Sequence, residues 1–354
     1  MRVALYTTAL SAHQLPVYRL IRDILGAENC RYICVSRDGT SAQTRLGEVD
    51  VEWLAASDAA AQDWLDGADV LYVGGMRPLD LFERRAVRGL KTLFQSERWF
   101  KPLVLFDLRL FDCLISLSLP GWMRMWVPGY RRMVKRFVRW ANGDPNARVL
   151  AIGPWAKKDF LRMGVKPEKI EDWGYFVEKG TGIREQGSGF DESNNLKSNN
   201  QTILKILWAG RDIPLKHVKD IERAVDLANR RLTESSGDVD ASRLPITFTK
   251  LTGVSSAEVR KAMRDHDTFV FASDAHEGWG AVVSEALEEG MNVICSSSCG
   301  AGPAMLPCER LFKCGDVKSL AGLMEKELHG KLPPCSIGDW TAARAAERLL
   351  KLLR

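Results

Sequence analysis

Two glutamates set among glycines are the residues of this sequence best suited to chemistry. Glu277 opens the run Glu277-Gly-Trp-Gly280, and Glu285 follows eight residues after Glu277. Glycines let backbone amides approach a ligand closely, and the N–H groups at a helix start attract an anion or a sugar hydroxyl. We expect a helix to begin near Ala281. Glu285 would then accept two hydrogen bonds from a vicinal diol such as a ribose, and Glu277 would face a reacting sugar.

A second element places two cations just after a predicted strand. The sequence reads Trp208-Ala-Gly210-Arg211-Asp-Ile-Pro-Leu-Lys216. Arg211 and Lys216 can hold a diphosphate and neutralise its charge, although two solvated loop cations would look the same. Both elements follow strand ends in one half of the chain, where α/β sheets bind ligands. Their joint occurrence favours a binding site.

The composition sets outer bounds on the class of protein. The chain has 354 residues, of which 45% are hydrophobic, and this predicts two domains with a core each. A net charge of +5 fits small anions, nucleic acid or a membrane surface and selects none of them. The start shows no secretory signal pattern, and no apolar run reaches the ~18 residues of a membrane span.

The cysteines point to a reducing compartment. The eight cysteines form no Cys-x-x-Cys pair and have no histidine at zinc-finger spacing. Most lie in apolar, strand-like runs, which is typical of reduced core cysteines. We therefore expect a cytoplasmic protein.

Strand and helix patterns alternate along the chain, which predicts parallel sheets covered by helices. One helical face is formed by Val218, Ile221, Ala224, Val225 and Ala228. The predicted strands are Val3–Thr8, Arg31–Ser36, Val51–Ala55, Val70–Gly74, Leu103–Leu108, Val149–Gly153, Ile203–Ala209, Ile246–Leu251, Thr268–Ala272, Asn292–Ser296 and Leu311–Cys314, with a further short strand at Thr92–Gln95.

A Gly-, Ser- and Asn-rich stretch at 179–201 divides the two strand series and reads as a flexible linker. The predicted domains are therefore 1–178 and 202–339, both Rossmann-like. Two such domains would face each other across a ligand cleft. The helix at 340–354 could pack on either half, including back on the first domain.

Residues 121–140 combine six basic residues with aromatic ones and contain no acidic residue. Basic groups on long stems beside aromatic rings suit an anionic membrane surface. A solvated basic helix with one face in the core would show the same pattern. Nucleic-acid binding is not expected, because no nucleic-acid-binding motif accompanies the segment.

The two loops together resemble the retaining nucleotide-sugar glycosyltransferases of family 4, the group 1 glycosyl transferases of bacterial surface-glycan biosynthesis with the two-Rossmann GT-B fold. That group carries a Gly-Arg…Lys-Gly loop, then Ser…Glu-Gly-Phe-Gly…Glu-Ala…Gly-x-Pro-Val. This chain has Gly210-Arg211…Lys216-His217, then Ser273…Glu277-Gly278-Trp279-Gly280…Glu285-Ala286…Gly290-Met-Asn-Val293. It departs from the pattern at His217 for Gly, Trp279 for Phe and Asn292 for Pro. The resemblance extends roughly over 203–315 and is weak over the first 150 residues.

The resemblance implies a role for each matching residue. Arg211 and Lys216 would bind the donor diphosphate and act in catalysis with Glu277. Glu285 would bind the ribose hydroxyls. Glu277 and the backbone amides of Gly278, Trp279 and Gly280 would hold the transferred sugar, and Gly210 would also belong to the donor site. Members of the group retain anomeric configuration and need neither metal nor cofactor, since the cations supply the positive charge.

The first domain would hold a glycan or lipid-linked acceptor, and four residues are candidates to contact it. His13 follows the first strand, and Glu97 and Arg98 form a Ser-Glu-Arg segment like that of some bacterial members. Asp107 ends a predicted strand. The protein would then lie in the cytoplasm or at the inner face of the membrane.

Two other functions stay open from the sequence. Another GT-B enzyme, such as a sugar-nucleotide epimerase or an inverting transferase, would share the fold, but the Glu277–Glu285 pair with both cations disfavours it. A non-catalytic nucleotide-sugar-binding subunit would explain the weak match of the first half. The four charged donor residues argue against that alternative.

Overall fold

The computed structural model describes residues 1–8, 13–35, 53–100, 125–177, 203–236 and 244–353. The chain forms two compact units, the first of Met1–Phe176 with Thr341–Arg354 and the second of Val177–Trp340. Asp107, the predicted strand at 103–108 and the linker at 179–201 lie outside the described residues.

Unit 1 is built on a seven-stranded parallel sheet in the order β3-β2-β1-β4-β5-β6-β7. Helices cover the sheet, so its strands are apolar runs buried on both faces; every residue of β4 is buried. The strands are β1 Val3–Thr7, β2 Cys30–Cys34, β3 Trp53–Ala55, β4 Val70–Gly74, β5 Lys91–Ser96, β6 Ala147–Ile152 and β7 Ile170–Trp173. The helices are α1 Leu15–Leu25, α2 Ala59–Gly67, α3 Leu79–Val87, α4 Pro128–Gly143 and α5 Pro154–Met163.

Unit 2 contains a five-stranded parallel sheet in the order β12-β11-β10-β8-β9. Its strands are β8 Leu204–Ala209, β9 Ile246–Leu251, β10 Thr268–Phe271, β11 Asn292–Ser296 and β12 Leu311–Phe312. Its helices are α6 Val218–Ser236, α7 Ser256–Asp265, α8 Ala281–Glu288, α9 Ala301–Met305 and α10 Val317–Leu328. The predicted apolar face of α6 is confirmed, because all five of its residues are buried in the core of this unit.

The last helix, α11 Ala342–Leu353, packs on α1 and belongs to unit 1. Lys91 Nζ at the start of β5 donates a hydrogen bond to Leu352 O at 2.6 Å. Arg348 donates to the carbonyl of Asp172 in β7. The sequence alone did not predict which half of the chain this helix packs on. These contacts show that it packs on unit 1.

Strand β7 was not predicted from the sequence. Its first and last residues, Ile170 and Trp173, are buried, and the two between them, Glu171 and Asp172, are more exposed. An edge strand with two acidic residues lacks the apolar run that marked the other strands.

The cysteines at positions 30, 34, 295, 299, 308, 314 and 335 are free, and the first four of these are buried. Cys113 lies outside the described residues.

A buried carboxylate holds the end of α8 against α7. Glu289 directly follows α8 and is 0% exposed. Its two oxygens accept hydrogen bonds from Arg260 at 2.8 Å and Arg264 at 2.9 Å. The arginine side chains are 24% and 37% exposed, so the loss on removing Glu289 comes mainly from its two hydrogen bonds to charged groups, each worth about 1.5 kcal/mol.

Glu289→Ala is therefore expected to lower the free energy of unfolding by roughly 3 kcal/mol. Urea unfolding followed by tryptophan fluorescence measures this change. The control is Lys157→Ala, which breaks a solvent-exposed pair with Asp172 and should cost at most about 1 kcal/mol. Equal losses in the two variants would show that Glu289 does not stabilise the α8 end.

Candidate functional site

Two loops of unit 2 meet at the carboxyl edge of its sheet. Strands β8 and β10 are direct neighbours, so the loops after Ala209 and after Phe271 start side by side. A backbone hydrogen bond from Asp274 N to Leu215 O, 2.9 Å long, joins them. The two sequence elements that were singled out for chemistry therefore lie together, at the edge where parallel sheets bind ligands.

A cation of the first loop contacts a carboxylate of the second. Lys216 Nζ forms an ion pair with Glu277 Oε2, although the two residues are 61 positions apart. The side chains are 15% and 22% exposed. The Lys216 ammonium also lies 5.1 Å from the centre of the Phe271 ring. This partly buried pair brings a predicted phosphate-binding cation to a predicted sugar-binding carboxylate.

Glycines are required where the second loop enters α8. Gly280 has φ +94°, and a Cβ added there would lie 2.7 Å from Phe271 Cε1. A Cβ on Gly300 would lie 2.6 Å from the carbonyl oxygen of Gly278. The loop is thus packed against two neighbours, of which Gly300 was not predicted from the sequence. Glu285 lies half-buried one turn inside α8, where the spacing had predicted it.

The Trp279 side chain is packed inside unit 2. The residue is 0% exposed, its ring lies 5.2 Å from that of Trp340, and its indole N–H donates to Ser284 Oγ at 3.1 Å. Its carbonyl accepts from Ala301 N at 3.0 Å. An aromatic ring of this size is stabilised by burial, so Trp279 supports the loop from beneath.

Arg211 lies on the first loop and is exposed, together with its neighbour Asp212. Asp212 is bound by Lys250 of β9 at 2.6 Å. Gly210 N donates to Leu251 O at 3.0 Å, which ties the loop base to β9. Arg211 therefore starts from a fixed strand end and extends into solvent.

A cluster around His217 was not predicted from the sequence. His217 Nδ1 lies 2.8 Å from Asp220 Oδ2, and His217 Nε2 lies 3.8 Å from Asp274 Oδ2. Interaction with Asp274, then with Cys314 and Asp220, raises the pKa of His217 to about 11. Burial alone would raise the pKa of Asp274, but the nearby His217 side chain and hydrogen bonds from His276 lower it below its usual value. The signal available in the sequence was the departure from Gly at this position.

Unit 1 contains a polar cavity of about 350 Å³ at the carboxyl ends of its central strands. Its lining comes from the ends of β1, β4, β5 and β6 and includes two of the predicted acceptor residues, Glu97 and Arg98. Glu97 Oε1 accepts a hydrogen bond from Tyr175 at 2.9 Å. The Arg98 guanidinium donates to Phe100 O at 3.2 Å and lies 3.9 Å from Asp159. Arg98 thus also holds the backbone of its own segment in place.

His13 contacts a different set of residues. Its ring stacks on Tyr175 with 5.3 Å between centroids, and it lines a small, mostly apolar cavity of about 20 Å³. Burial lowers the pKa of His13 to about 4, so the ring is neutral at pH 7. Through Tyr175, His13 is linked to Glu97.

Within the described ranges, no group of three or more His, Cys, Asp or Glu side chains is arranged to hold a metal ion. Arg211 and Lys216 bring two positive charges to the unit 2 site.

Comparisons with known proteins agree with this geometry. Residues 241–336 match the family described as Glycosyl transferases group 1, a segment that includes Glu277, Gly280 and Glu285. No curated protein sequence matches the chain significantly.

Solved structures similar to the chain match almost all of its length at low identity. The lipopolysaccharide outer core galactosyltransferase WaaB in its apo form has a TM-score of 0.60 and 13% identity, over 100% of this chain and 99% of that one. Anabaena Alr3699/HepE in complex with UDP has a TM-score of 0.60 and 11% identity over the same shares. WaaG, a glycosyltransferase involved in lipopolysaccharide biosynthesis, has a TM-score of 0.51 and 14% identity, over 98% and 94%.

Residues 241–336 of unit 2 are therefore similar to the group 1 glycosyl transferases, and the chain has the GT-B fold. The predicted enzyme class, a glycosyltransferase, is confirmed at the level of this domain. The assignment to a retaining family stays a prediction.

Proposed function

We propose that the protein transfers a sugar from a nucleotide-diphosphate sugar to a glycan or lipid-linked acceptor in bacterial polysaccharide, lipopolysaccharide or capsule assembly. The contact between Lys216 and Glu277 carries this proposal, because it joins a cation and a carboxylate beside a glycine-lined helix start. The similar structure HepE was solved with UDP and with UDP-glucose, which supports a nucleotide sugar as donor. WaaB and WaaG, named for lipopolysaccharide, support a surface glycan as product.

The donor would replace the internal partners of the site. Arg211 and Lys216 would bind the diphosphate oxygens, and Lys216 would leave Glu277 to do so. Glu277 and the amides of Gly278–Gly280 would then hold the transferred sugar, and Glu285 would accept the ribose hydroxyls. Each group thus neutralises or positions one part of the donor.

We further propose a retaining reaction on one face of the sugar. The bond from the anomeric carbon to the diphosphate oxygen breaks, and a bond to the acceptor oxygen forms on the same face. The acceptor proton passes to the departing diphosphate oxygen. Arg211 and Lys216 stabilise the charge that develops on the leaving group, which is why we propose that no metal takes part.

The polar cavity of unit 1 is our candidate for the acceptor. Its hydroxyl-, amide- and carboxylate-bearing lining suits the hydroxyls of a glycan. Glu97 is the residue that we expect to accept a hydrogen bond from the acceptor, with Tyr175 holding its other side. His13 would act through Tyr175, because its ring lies against that side chain.

One face of α4 is our candidate for contact with an anionic membrane surface. Phe137 and Trp140 are buried, and Arg136 pairs with Asp80 and Glu83 of α3, so that part of the helix faces the unit. The opposite face exposes four basic residues, namely Arg131, Arg132, Lys135 and Arg139, and exposed Trp126 precedes the helix. Residues 121–124 of this segment lie outside the described residues. No helix in the described ranges combines the length and apolar character of a membrane span.

The donor site is tested by screening UDP, GDP, ADP, CMP and dTDP by thermal shift and calorimetry. One diphosphate is expected to stabilise the wild type. Arg211→Ala and Glu285→Ala should each weaken its binding about tenfold or more, because each removes a charged hydrogen-bonding group. Binding should persist in excess EDTA, since the cations are side chains.

The matched controls are Arg230→Ala and Glu234→Ala, two exposed residues of α6 that lie more than ~15 Å along the helix from its start. Both should bind the nucleotide as the wild type does. A wild type that binds none of the five nucleotides would contradict the donor site. Binding that is intact but without transfer to any acceptor would favour a nucleotide-sugar-binding subunit.

The membrane surface is tested by flotation with vesicles containing anionic lipids. Replacing Arg131, Arg132, Lys135 and Arg139 by serine should lower vesicle partitioning at least about tenfold, given about 1 kcal/mol per basic residue near the surface. The control replaces four exposed lysines of unit 2, namely Lys313, Lys318, Lys326 and Lys331. Equal losses in both variants, or no preference of the wild type for anionic vesicles, would refute the α4 surface.

A further inference from the structure

His217 adopts a backbone conformation that favours glycine. Its φ of +52° and ψ of +37° lie in the left-handed region, and among the described residues it is the one non-glycine with positive φ. Glycine adopts this region without steric cost, so the conformation is ordinary for Gly and unusual for a residue with a large side chain. An unusual conformation kept by a bulky residue calls for an explanation in what that side chain contacts.

The imidazole lies between two carboxylates from different elements. Nδ1 faces Asp220 in the first turn of α6 at 2.8 Å, and Nε2 faces Asp274 in the loop after β10 at 3.8 Å. The side chains of both aspartates are largely buried, with 16% and 11% exposed. A ring with an acceptor at each nitrogen is favoured in its doubly protonated, positively charged form.

Asp274 links His217 to Glu277. Its Oδ1 accepts from His276 N at 2.8 Å and faces His276 Nδ1 at 3.1 Å, and its carbonyl accepts from Glu277 N at 3.1 Å. His217 itself directly follows Lys216. Both residues of the Lys216–Glu277 ion pair are thus joined to the His217–Asp274 contact. Lys216 is bonded to His217 in the chain, and Glu277 is bound to Asp274 by the backbone hydrogen bond.

We propose that His217 is a positioning residue of the donor site, whose imidazolium joins the Lys216 loop to the Glu277 loop through Asp274 and to α6 through Asp220. The ligand in this inference, a nucleoside diphosphate, rests on the proposed function. The proposed coupling of the two loops is independent of that function.

The pH range of this bridge follows from the groups that face the ring. These are Asp220 with Arg223 from α6, Asp274 with His276 from the second loop, and Cys314 after β12. The pKa of His217 is raised to about 11, so its contribution is complete below the ordinary histidine value and is lost as pH rises toward 11. The lowered pKa of Asp274 keeps its carboxylate charged on the acid side. The bridge therefore holds through the neutral range.

The first test measures hydrogen–deuterium exchange of the full chain without ligand. His217→Gly suits the observed φ, so it removes the imidazole without straining the backbone. Peptides covering 273–280 are expected to exchange several-fold faster in His217→Gly and in Asp274→Asn. His217→Asn, which tolerates the left-handed region and keeps one donor, should be intermediate. The control Lys219→Ala should exchange like the wild type. Unchanged exchange of 273–280 in His217→Gly would overturn the proposal.

The second test measures Kd of the nucleoside diphosphate that stabilises the wild type most among UDP, GDP, ADP and dTDP. His217→Gly and Asp274→Asn should each raise Kd about tenfold, and the double variant should raise it no further, because the two residues act through each other. A rise in Kd of the double variant equal to the product of the two single rises would contradict the bridge. A wild type that binds none of these nucleotides would contradict the proposed function alone, and the exchange measurement would still decide the role of His217.

Discussion

The ion pair between Lys216 and Glu277 depends on the pairing of β8 with β10. Fifty-eight residues lie between the end of β8 and the start of β10, yet the two strands are neighbours in the sheet and run parallel. Their carboxyl ends therefore open at the same edge, and each loop needs only a few residues to reach the other. A partly buried ammonium and carboxylate then satisfy each other. Parallel sheet topology thus places two side chains where a charged and hydroxylated ligand can replace their mutual contact.

Packing beneath the second loop sets its shape. Phe271 excludes any side chain at Gly280, the Gly278 carbonyl excludes one at Gly300, and the buried Trp279 ring fills the space beneath. The tight fit makes the start of α8 a fixed point of the unit, with Glu289 held by two arginines at its other end. A rigid support of this kind suits a site that must hold a ligand in one orientation.

The sequence predicted the strand series well, and it predicted which loop or helix carries Arg211, Lys216, Glu277 and Glu285, because local patterns determine both. Apolar periodicity placed α6 and its buried face, and the Glu277–Glu285 spacing placed one carboxylate before a helix and one inside it. The sequence did not predict the features that depend on packing between residues far apart in the chain. The burial of Trp279 depends on Trp340 and Ser284, and the role of His217 depends on Asp274, which follows it by 57 positions in the chain. Strand β7 was missed because its outward residues are acidic.

The central claim is that the Lys216 and Glu277 loops form the site for a nucleotide-sugar donor. A crystal structure of the protein with a bound nucleoside diphosphate tests it most directly. The account predicts that the phosphates lie within hydrogen-bond distance of Lys216 and Arg211, that the ribose contacts Glu285, and that Lys216 no longer contacts Glu277. A nucleotide bound elsewhere, with the Lys216–Glu277 pair intact, would contradict the account.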